Sequence, residues 1–262
     1  MTDEPQETPS QNPKIYCVIP AYNEEDGLPP LLAALKELFE KHERDYLLFV
    51  VNDGSKDKTR EKAEEAAAHM PIEIVDHETN LNVGAVFRDG VTAACKVAQP
   101  DDVIVTLEGD NTNDPSIVVQ MVDKLVAEDL NVVVASRYRK GGEFIGFPLK
   151  RRILSNGINT LMRIIYPVKG ITDYSIFFRA YRARLLQRSL EYYGDKFIEC
   201  PGFVSNAEML VKARPFDLKG GEVPLLYKYD QKKGGSKMKI KKTIMEYYHF
   251  WRRVPRKVKL EQ

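Results

Sequence analysis

The first half of the chain alternates short, continuously apolar runs with amphipathic stretches of about ten residues or more. That rhythm leaves little choice of fold. The runs fall at 14–21 (KIYCVIPA), 46–51 (YLLFVV), 71–75, 102–107 (DVIVTL) and 131–136 (NVVVAS), and the helical patterns at 28–42, 58–69, 83–97 and 115–127. A strand with one wet face alternates polar and apolar residues, whereas a strand covered on both faces reads as an unbroken β-branched run. Strand and helix in steady succession therefore predict an α/β domain, a mostly parallel central sheet with helices on both faces.

After Arg137 the rhythm loosens. A Gly-rich loop (KGGEFIGFP) leads to a helix over 151–165, an irregular stretch at 170–181, helices at 183–192 and 203–212, and a strand over 222–228. A Gly/Lys loop and a last helix over 241–253 follow. The expected layout is a flexible arm at 1–13, one domain at 14–240, and a basic aromatic tail at 241–262. Within the domain, 14–136 reads as a nucleotide-binding half and 137–240 as an acceptor half.

Charge enters through its distribution. The chain has 39 Lys and Arg against 38 Asp and Glu, a net of +1, which argues against a nucleic-acid coat. Residues 231–262 carry 11 basic side chains and two acids, so +9, which leaves −8 on the remainder. A basic end on an acidic body points to an anionic partner, or to no more than a solvated charge run. Hydrophobic residues make up 43% of the chain, enough for a real core. No apolar run approaches the ~18 residues of a bilayer span, and MTDEPQETPSQNPK lacks the apolar centre of a signal peptide. Three cysteines without C-x-x-C fit a reduced, cytoplasmic compartment, and four scattered histidines give no zinc spacing.

Ligands of an open parallel sheet bind outside the carboxyl ends of its strands. The loop after the first run is Pro20-Ala-Tyr22-Asn23-Glu24-Glu, where a dinucleotide site would need G-x-G-x-x-G; no phosphate-binding P-loop motif occurs either. After the second run comes Asn52-Asp53-Gly54-Ser55-Lys-Asp-Lys-Thr. Asp53 can accept from a base or ribose hydroxyl, and Gly54 permits a tight turn; a plain strand–turn–helix link explains Gly54 and Ser55 equally well. After the fourth run, Glu108 and Asp110 flank Gly109, so two carboxylates can converge on a hard cation such as Mg²⁺ held together with substrate phosphates.

Taken in order, these loops resemble glycosyltransferase family 2, which has the GT-A fold. P-x-Y-N-E is similar to 20–24, D-D-G-S-x-D-x-T to 52–59, N-x-G-x-x-x-A-x-x-x-G to 80–90, and D-x-D to 108–110. The second half most resembles the polyprenyl-phosphate sugar transferases, the dolichol-phosphate mannose synthases included. S-R-Y-x-x-G-G is similar to 136–142, R-R-x-x-S to 151–155, D-x-[ST]-x-G-F-R to 173–179, E-M-L to 208–210, and E-V-P with G-x-S-K to 222–224 and 234–237. The Q-x-x-R-W of processive synthases is missing.

The resemblance implies roles residue by residue. Pro20, Tyr22, Asn23, Glu24, Asp53, Gly54, Ser55, Asn80, Gly84, Glu108, Gly109 and Asp110 are expected to bind a nucleotide-sugar donor, GDP-mannose or a UDP-hexose. Glu108, Asp110 and Thr112 are expected to hold Mg²⁺ or Mn²⁺. Arg137, Arg151, Arg152, Ser155, Arg179, Ser236 and Lys237 are expected around the phosphate of a polyprenyl phosphate acceptor, and Asp110, Asp173 and Arg137 as catalytic residues. Three positions depart from the pattern: Asn52 for the first Asp of D-D-G-S, Glu108 for that of D-x-D, and Phe177 for a Gly.

The implied reaction is an inverting, metal-dependent hexosyl transfer. A hydroxyl acceptor would need a general base, for which Asp173 is a candidate; its other reading is a capping or Arg-paired residue. A phosphate monoester is largely dianionic at neutral pH and needs none. The alternatives are a glycosyltransferase of soluble hydroxyl acceptors and a silent nucleotide-sugar-binding protein. Ile240, Ile244, Tyr247, Tyr248 and Trp251 recur at helical spacing among Lys241, Lys242, Arg252 and Arg253. That stripe either lies on a membrane surface or caps the domain's own core. The expected location is cytoplasmic, peripheral at the inner face of a membrane, by direct contact or through an integral-membrane partner, with no nucleic acid involved.

Overall fold

The computed structural model describes residues 12–109, 113–229 and 240–258. Asp110, Thr112, Ser236, Lys237 and most of the N-terminal arm lie outside the described residues.

The five apolar runs form β1 (Ile15–Ala21), β2 (Tyr46–Asp53), β3 (Ile72–His77), β4 (Val103–Thr106) and β5 (Val132–Ser136). Between them lie α1 (Leu28–Lys41), α2 (Thr59–Ala67), α3 (Val83–Val97) and α4 (Ile117–Ala127). The second half adds β6 (Glu143–Ile145), α5 (Leu149–Ile165), β7 (Arg179–Arg182), α6 (Ala183–Tyr193), α7 (Ser205–Ala213), β8 (Gly220–Pro224), β9 (Leu226–Lys228) and α8 (Ile240–Arg253).

Seven strands make one sheet in the order β3-β2-β1-β4-β7-β5-β8. All neighbours are parallel except β7, which runs antiparallel between β4 and β5. β1 is hydrogen-bonded on both sides, and Ile15, Cys17, Val18 and Ile19 are wholly buried. Each such aliphatic side chain contributes about 1.5–3 kcal/mol by leaving water. α1 packs beside α2, and Arg44 beyond α1 reaches Asp123 of α4, whereas α3 packs against α6 and α7. The sheet is thus sandwiched between two sets of helices.

Two elements differ from expectation. The stretch expected to be irregular ends in β7, whose four residues, RAYR, carry no β-branched run. β4 and β5 both need a partner along that edge, so tertiary pairing overrides local propensity. The strand expected over 222–228 splits, because Leu225 leaves the main sheet and β9 pairs with β6 in a separate two-stranded ribbon.

Candidate active site

The carboxyl ends of β1, β2 and β4 bring three loops together through backbone groups. Asn23 N–H donates to Ser55 Oγ at 3.0 Å, Glu24 N–H to Thr59 Oγ1 at 2.8 Å, and Glu25 N–H to an Asp57 carboxylate oxygen at 3.2 Å. In return, Lys56 N–H donates to Asn23 Oδ1 at 2.9 Å and Lys58 N–H to Glu25 at 3.1 Å. The 20–25 and 52–59 loops are zipped, and Asn23 and Ser55 serve as their teeth. Gly109 closes the third side: a Cβ there would stand 1.9 Å from the Pro20 carbonyl oxygen, so only glycine lets the β4 exit lie against the β1 exit. Tyr22 and Glu24 are partly buried beside that junction.

A fourth segment, 78–82, closes over the 52–59 loop. Gly54 has φ +68°, and a Cβ on it would fall 2.5 Å from the Thr79 carbonyl carbon and 2.7 Å from Asn80 N, which places Asn80 against this turn. Asp53, expected as a direct contact to the base or ribose, turns inward. Its carboxylate accepts from Leu81 N–H at 2.8 Å and Asn82 N–H at 3.1 Å and meets His77 Nδ1 at 2.8 Å. In this structure Asp53 holds the loop. Gly84, in the first turn of α3, donates its N–H to the Pro201 carbonyl, joining this edge to the 200–204 segment.

Glu108 follows β4 and accepts from Asn113 Nδ2 at 3.1 Å. Among the described residues no three His, Cys, Asp or Glu side chains gather closely enough to hold a metal ion. Glu108, one of the three expected metal ligands, lies at the exit of β4; the other two, Asp110 and Thr112, lie outside the described residues.

In the half expected to bind the acceptor, Arg137 leaves the end of β5 and meets Asp173 in a buried, two-pronged ion pair. Nε and Nη2 donate to the two carboxylate oxygens, each at 2.8 Å, with the side chains 5% and 0% exposed. Arg137 N–H, Ser175 N–H and Ser175 Oγ also donate to that carboxylate, while Asp173 N–H donates to Glu222. Burial alone would raise an Asp carboxyl, but Arg137 and these donors outweigh it and hold Asp173 below the usual carboxylate range. Of the two readings of Asp173, the geometry observed is that of the Arg-paired residue: its oxygens are engaged, and its proton affinity is lowered rather than raised.

Arg179, also expected at the acceptor phosphate, is wholly buried in β7, where Nη1 and Nη2 donate to the carbonyls of Asn206 and Tyr174 and to Tyr181 Oη, so its guanidinium is not exposed to a ligand.

Arg151, Arg152 and Ser155, also expected near the acceptor phosphate, lie close to Arg137 around one group of rings. The Arg137 guanidinium lies 5.0 Å from the Phe144 ring centroid and Arg152 5.4 Å from the same ring, while Arg151 sits over Tyr229 and donates to its hydroxyl at 3.1 Å. Ser155 Oγ lies 2.9 Å from Tyr138 Oη and 3.3 Å from Ser175 Oγ. Three arginines and a serine thus surround an aromatic cluster of Tyr138, Phe144, Phe147, Tyr227 and Tyr229. Sequence reasoning missed that cluster, since its rings come from three separate segments; the FIGF run was the one available cue.

Two departures from the family pattern have local partners. Asn52 pairs in register with Asp76 and donates to its carboxylate at 2.8 Å, where an aspartate would place two negative charges together. Phe177 stacks on Phe87 of α3 at 4.5 Å and fills the core beneath the site.

The aromatic stripe of α8 divides. Tyr247 and Phe250 turn inward, with Phe250 5.4 Å from Tyr166, and Arg253 is paired with Glu208 at 2.7 Å. Ile240, Ile244 and Tyr248 stay exposed. Among the described residues no helix is long and apolar enough to cross a membrane.

Comparison with known proteins places this architecture. The chain is 27% identical over 242 residues to a dolichol-phosphate mannosyltransferase of Pyrococcus furiosus, covering 91% of this chain but only 63% of that longer protein. It is 26% identical to an undecaprenyl-phosphate mannosyltransferase of Micrococcus luteus, covering 86% of this chain and 87% of the relative. Among solved structures it superposes on glucosyl-3-phosphoglycerate synthase from Mycobacterium tuberculosis, in complex with Mn²⁺ and UDP-glucose, with a TM-score of 0.62 at 18% identity over 91% of this chain and 77% of the other. The sequence model of glycosyl transferase family 2 matches residues 16–190, more than half the chain. With that match and the observed mostly parallel sheet, the chain belongs to glycosyl transferase family 2 and has the GT-A fold.

Proposed function

We propose that this enzyme transfers a hexose, mannose from GDP-mannose, to the phosphate of a polyprenyl phosphate such as dolichyl phosphate, with inversion at the anomeric carbon. The observation that carries the reading is the Arg137–Asp173 lock. With Asp173 engaged, the residue expected to deprotonate a hydroxyl acceptor is withdrawn, and a dianionic phosphate needs no base. The names of the two mannosyltransferase relatives support the same acceptor and sugar.

The chain's own part follows from its geometry. The zipped 20–25, 52–59 and 78–82 segments cradle the nucleotide, in the 14–136 half. In the 137–240 half, Arg151, Arg152 and Ser155 dock the acceptor phosphate on the aromatic cluster, with Arg137 as its rigid cationic floor. An acceptor oxygen then attacks the anomeric carbon as the bond to the diphosphate breaks, and the nucleoside diphosphate leaves with the electron pair. Mg²⁺ or Mn²⁺, held by Glu108 with Asp110 and Thr112, would neutralise charge on that leaving group.

A polyprenyl acceptor implies work at a bilayer. α5 supports this as much as the tail does: Ile153 is 62% and Ile164 73% exposed, with Leu149 also outward and Arg152 and Arg163 beside the stripe. Ile240, Ile244 and Tyr248 of α8 add a second outward apolar stripe among basic residues. Both patterns suit peripheral contact with the cytoplasmic face of a membrane, by direct binding or through an integral partner.

The test offers purified enzyme GDP-mannose, UDP-glucose or UDP-galactose with Mg²⁺ or Mn²⁺, and either a short polyprenyl phosphate or the corresponding alcohol. The expected product, by mass spectrometry, is the mannosyl phosphodiester alone. Preference for the alcohol would overturn the acceptor, and preference for a uridine sugar the donor.

A further inference from the structure

His77 ends β3 directly beside Asp53, its parallel partner in register, and nothing in the donor chemistry above uses it. Its ring is 6% exposed and lies between two carboxylates: Nδ1 is 2.8 Å from Asp53 Oδ1, and Nε2 is 3.1 Å from Asp89 Oδ2. A carboxylate only accepts, so a ring nitrogen at that distance has to donate. A neutral imidazole has a single N–H, and both contacts are satisfied only by a ring carrying two.

The surrounding charges agree with this. Asp53 on β2 and Asp89 on α3 face the ring, and Arg88 grips Asp89 at 2.9 and 3.3 Å. Asp76, next along β3, is held by Asn52 at 2.8 Å and Arg60 of α2 at 3.3 Å. With the ring protonated, His77 and Arg88 balance Asp53 and Asp89; with it neutral, one of the two carboxylates would face a lone pair.

The consequence reaches the donor side through Asp53. That carboxylate fixes Leu81 and Asn82, at the entry to α3, and the same segment rests on Gly54. We propose that His77 is a positioning residue of the donor site: a doubly protonated ring that clamps Asp53 to α3 and thereby fixes the 78–82 segment over the nucleotide loop. The role rests on the reading of 52–59 and 78–82 as the nucleotide cradle; the protonation state does not.

Two measurements test it. In ¹⁵N–¹H correlation spectra of histidine-labelled protein at neutral pH, both His77 ring nitrogens are expected at shifts of the protonated type. One protonated and one unprotonated nitrogen would overturn the clamp, whether or not any nucleotide binds. In His77→Gln, the affinity for GDP or UDP is expected to fall about tenfold, with the donor KM rising in step and kcat at saturating donor within about twofold. Unchanged nucleotide affinity, or a fall in kcat alone, would overturn the positioning role. Should His77→Gln fail to fold, Asp89→Leu serves: it removes one of the two acceptors, so the His77 ring is expected to drop to one proton and nucleotide affinity to weaken. Two protonated nitrogens in that variant, or unchanged affinity, would refute the bridge. If wild-type protein binds neither nucleotide while both ring nitrogens are protonated, the donor role fails and the clamp's protonation state stands.

Discussion

Replacing Asp173 with Asn keeps the side chain's shape and removes its charge, leaving the Arg137 guanidinium buried without a counter-ion. Breaking a buried pair from one side typically costs about 3–5 kcal/mol. The upper part of that range is expected, because an amide nitrogen would now face N–H donors from Arg137 or Ser175. Against a total stability of about 5–15 kcal/mol, the loss is large. With a urea m-value of about 3 kcal/mol/M, the unfolding midpoint should fall by roughly 1.3–1.7 M. The single variants Arg137→Met and Asp173→Leu should also destabilise, but Arg137→Met/Asp173→Leu should recover at least about 2 kcal/mol of their summed losses, since no orphan charge remains. The acid side gives a second readout. Asp173 has a folded pKa below its unfolded value of about 3.9, so its contribution is complete above that value and is lost as pH falls through the folded one. Asp173→Asn should flatten that part of the acid unfolding curve. Strict additivity of the single variants, or a stable Asp173→Asn protein whose turnover alone collapses, would refute the anchor and restore the general base.

Gly109→Ala drives a methyl into the Pro20 carbonyl and should cost about 1–3 kcal/mol while weakening nucleotide-induced thermal stabilisation, measured as the Tm shift with GDP or UDP. Phe250→Ala empties a buried site against Tyr166 and should cost about 3–5 kcal/mol in urea unfolding, whereas Ile244→Glu on the exposed side of α8 should stay within about 0.5 kcal/mol. Ile153→Glu/Ile164→Glu should leave stability unchanged and reduce co-sedimentation with anionic phospholipid vesicles; equal binding would remove α5 from the membrane contact.

The parallel part of the fold was legible because β1, β2, β4 and β5 are covered on both faces, and burial on both faces writes itself as a continuous apolar run. β7 left no such mark. Its Arg179 and Arg182 are buried in a strand of four residues, and the reason lies in the open edges of β4 and β5. The loops of the site were legible as motifs, but their division of labour was not. Motif spacing places Asp53 at the end of β2 and Asp173 in the segment before β7; which way each carboxylate turns depends on backbone N–H groups and on an arginine contributed by other segments. The tail shows the same limit. Helical spacing grouped Ile244, Tyr247, Tyr248 and Trp251 on one stripe, and only the docked position of α8 separates the residues that face the core from those left outside.

Asn52 and Phe177 look like damage when judged singly against the family pattern, and the structure argues otherwise. Asn52 stands opposite Asp76, and the residue after it, Asp53, stands opposite His77, so the end of β2 and the end of β3 carry matched polar pairs. An aspartate at 52 would leave three carboxylates, at 52, 53 and 76, around one imidazole and Arg60. The amide keeps the cross-strand hydrogen bond and removes one of those charges. Phe177 has its match in Phe87, which belongs to α3, the same helix whose Asp89 holds the far side of His77. The ring at 177 thus packs from below the helix that His77 fixes from its side. A substitution at 52 or 177 towards the family residue should therefore destabilise unless Asp76 or Phe87 changes with it. Asn52→Asp should lose stability that Asn52→Asp/Asp76→Asn regains, and equal loss in both variants would show that the two ends are not matched.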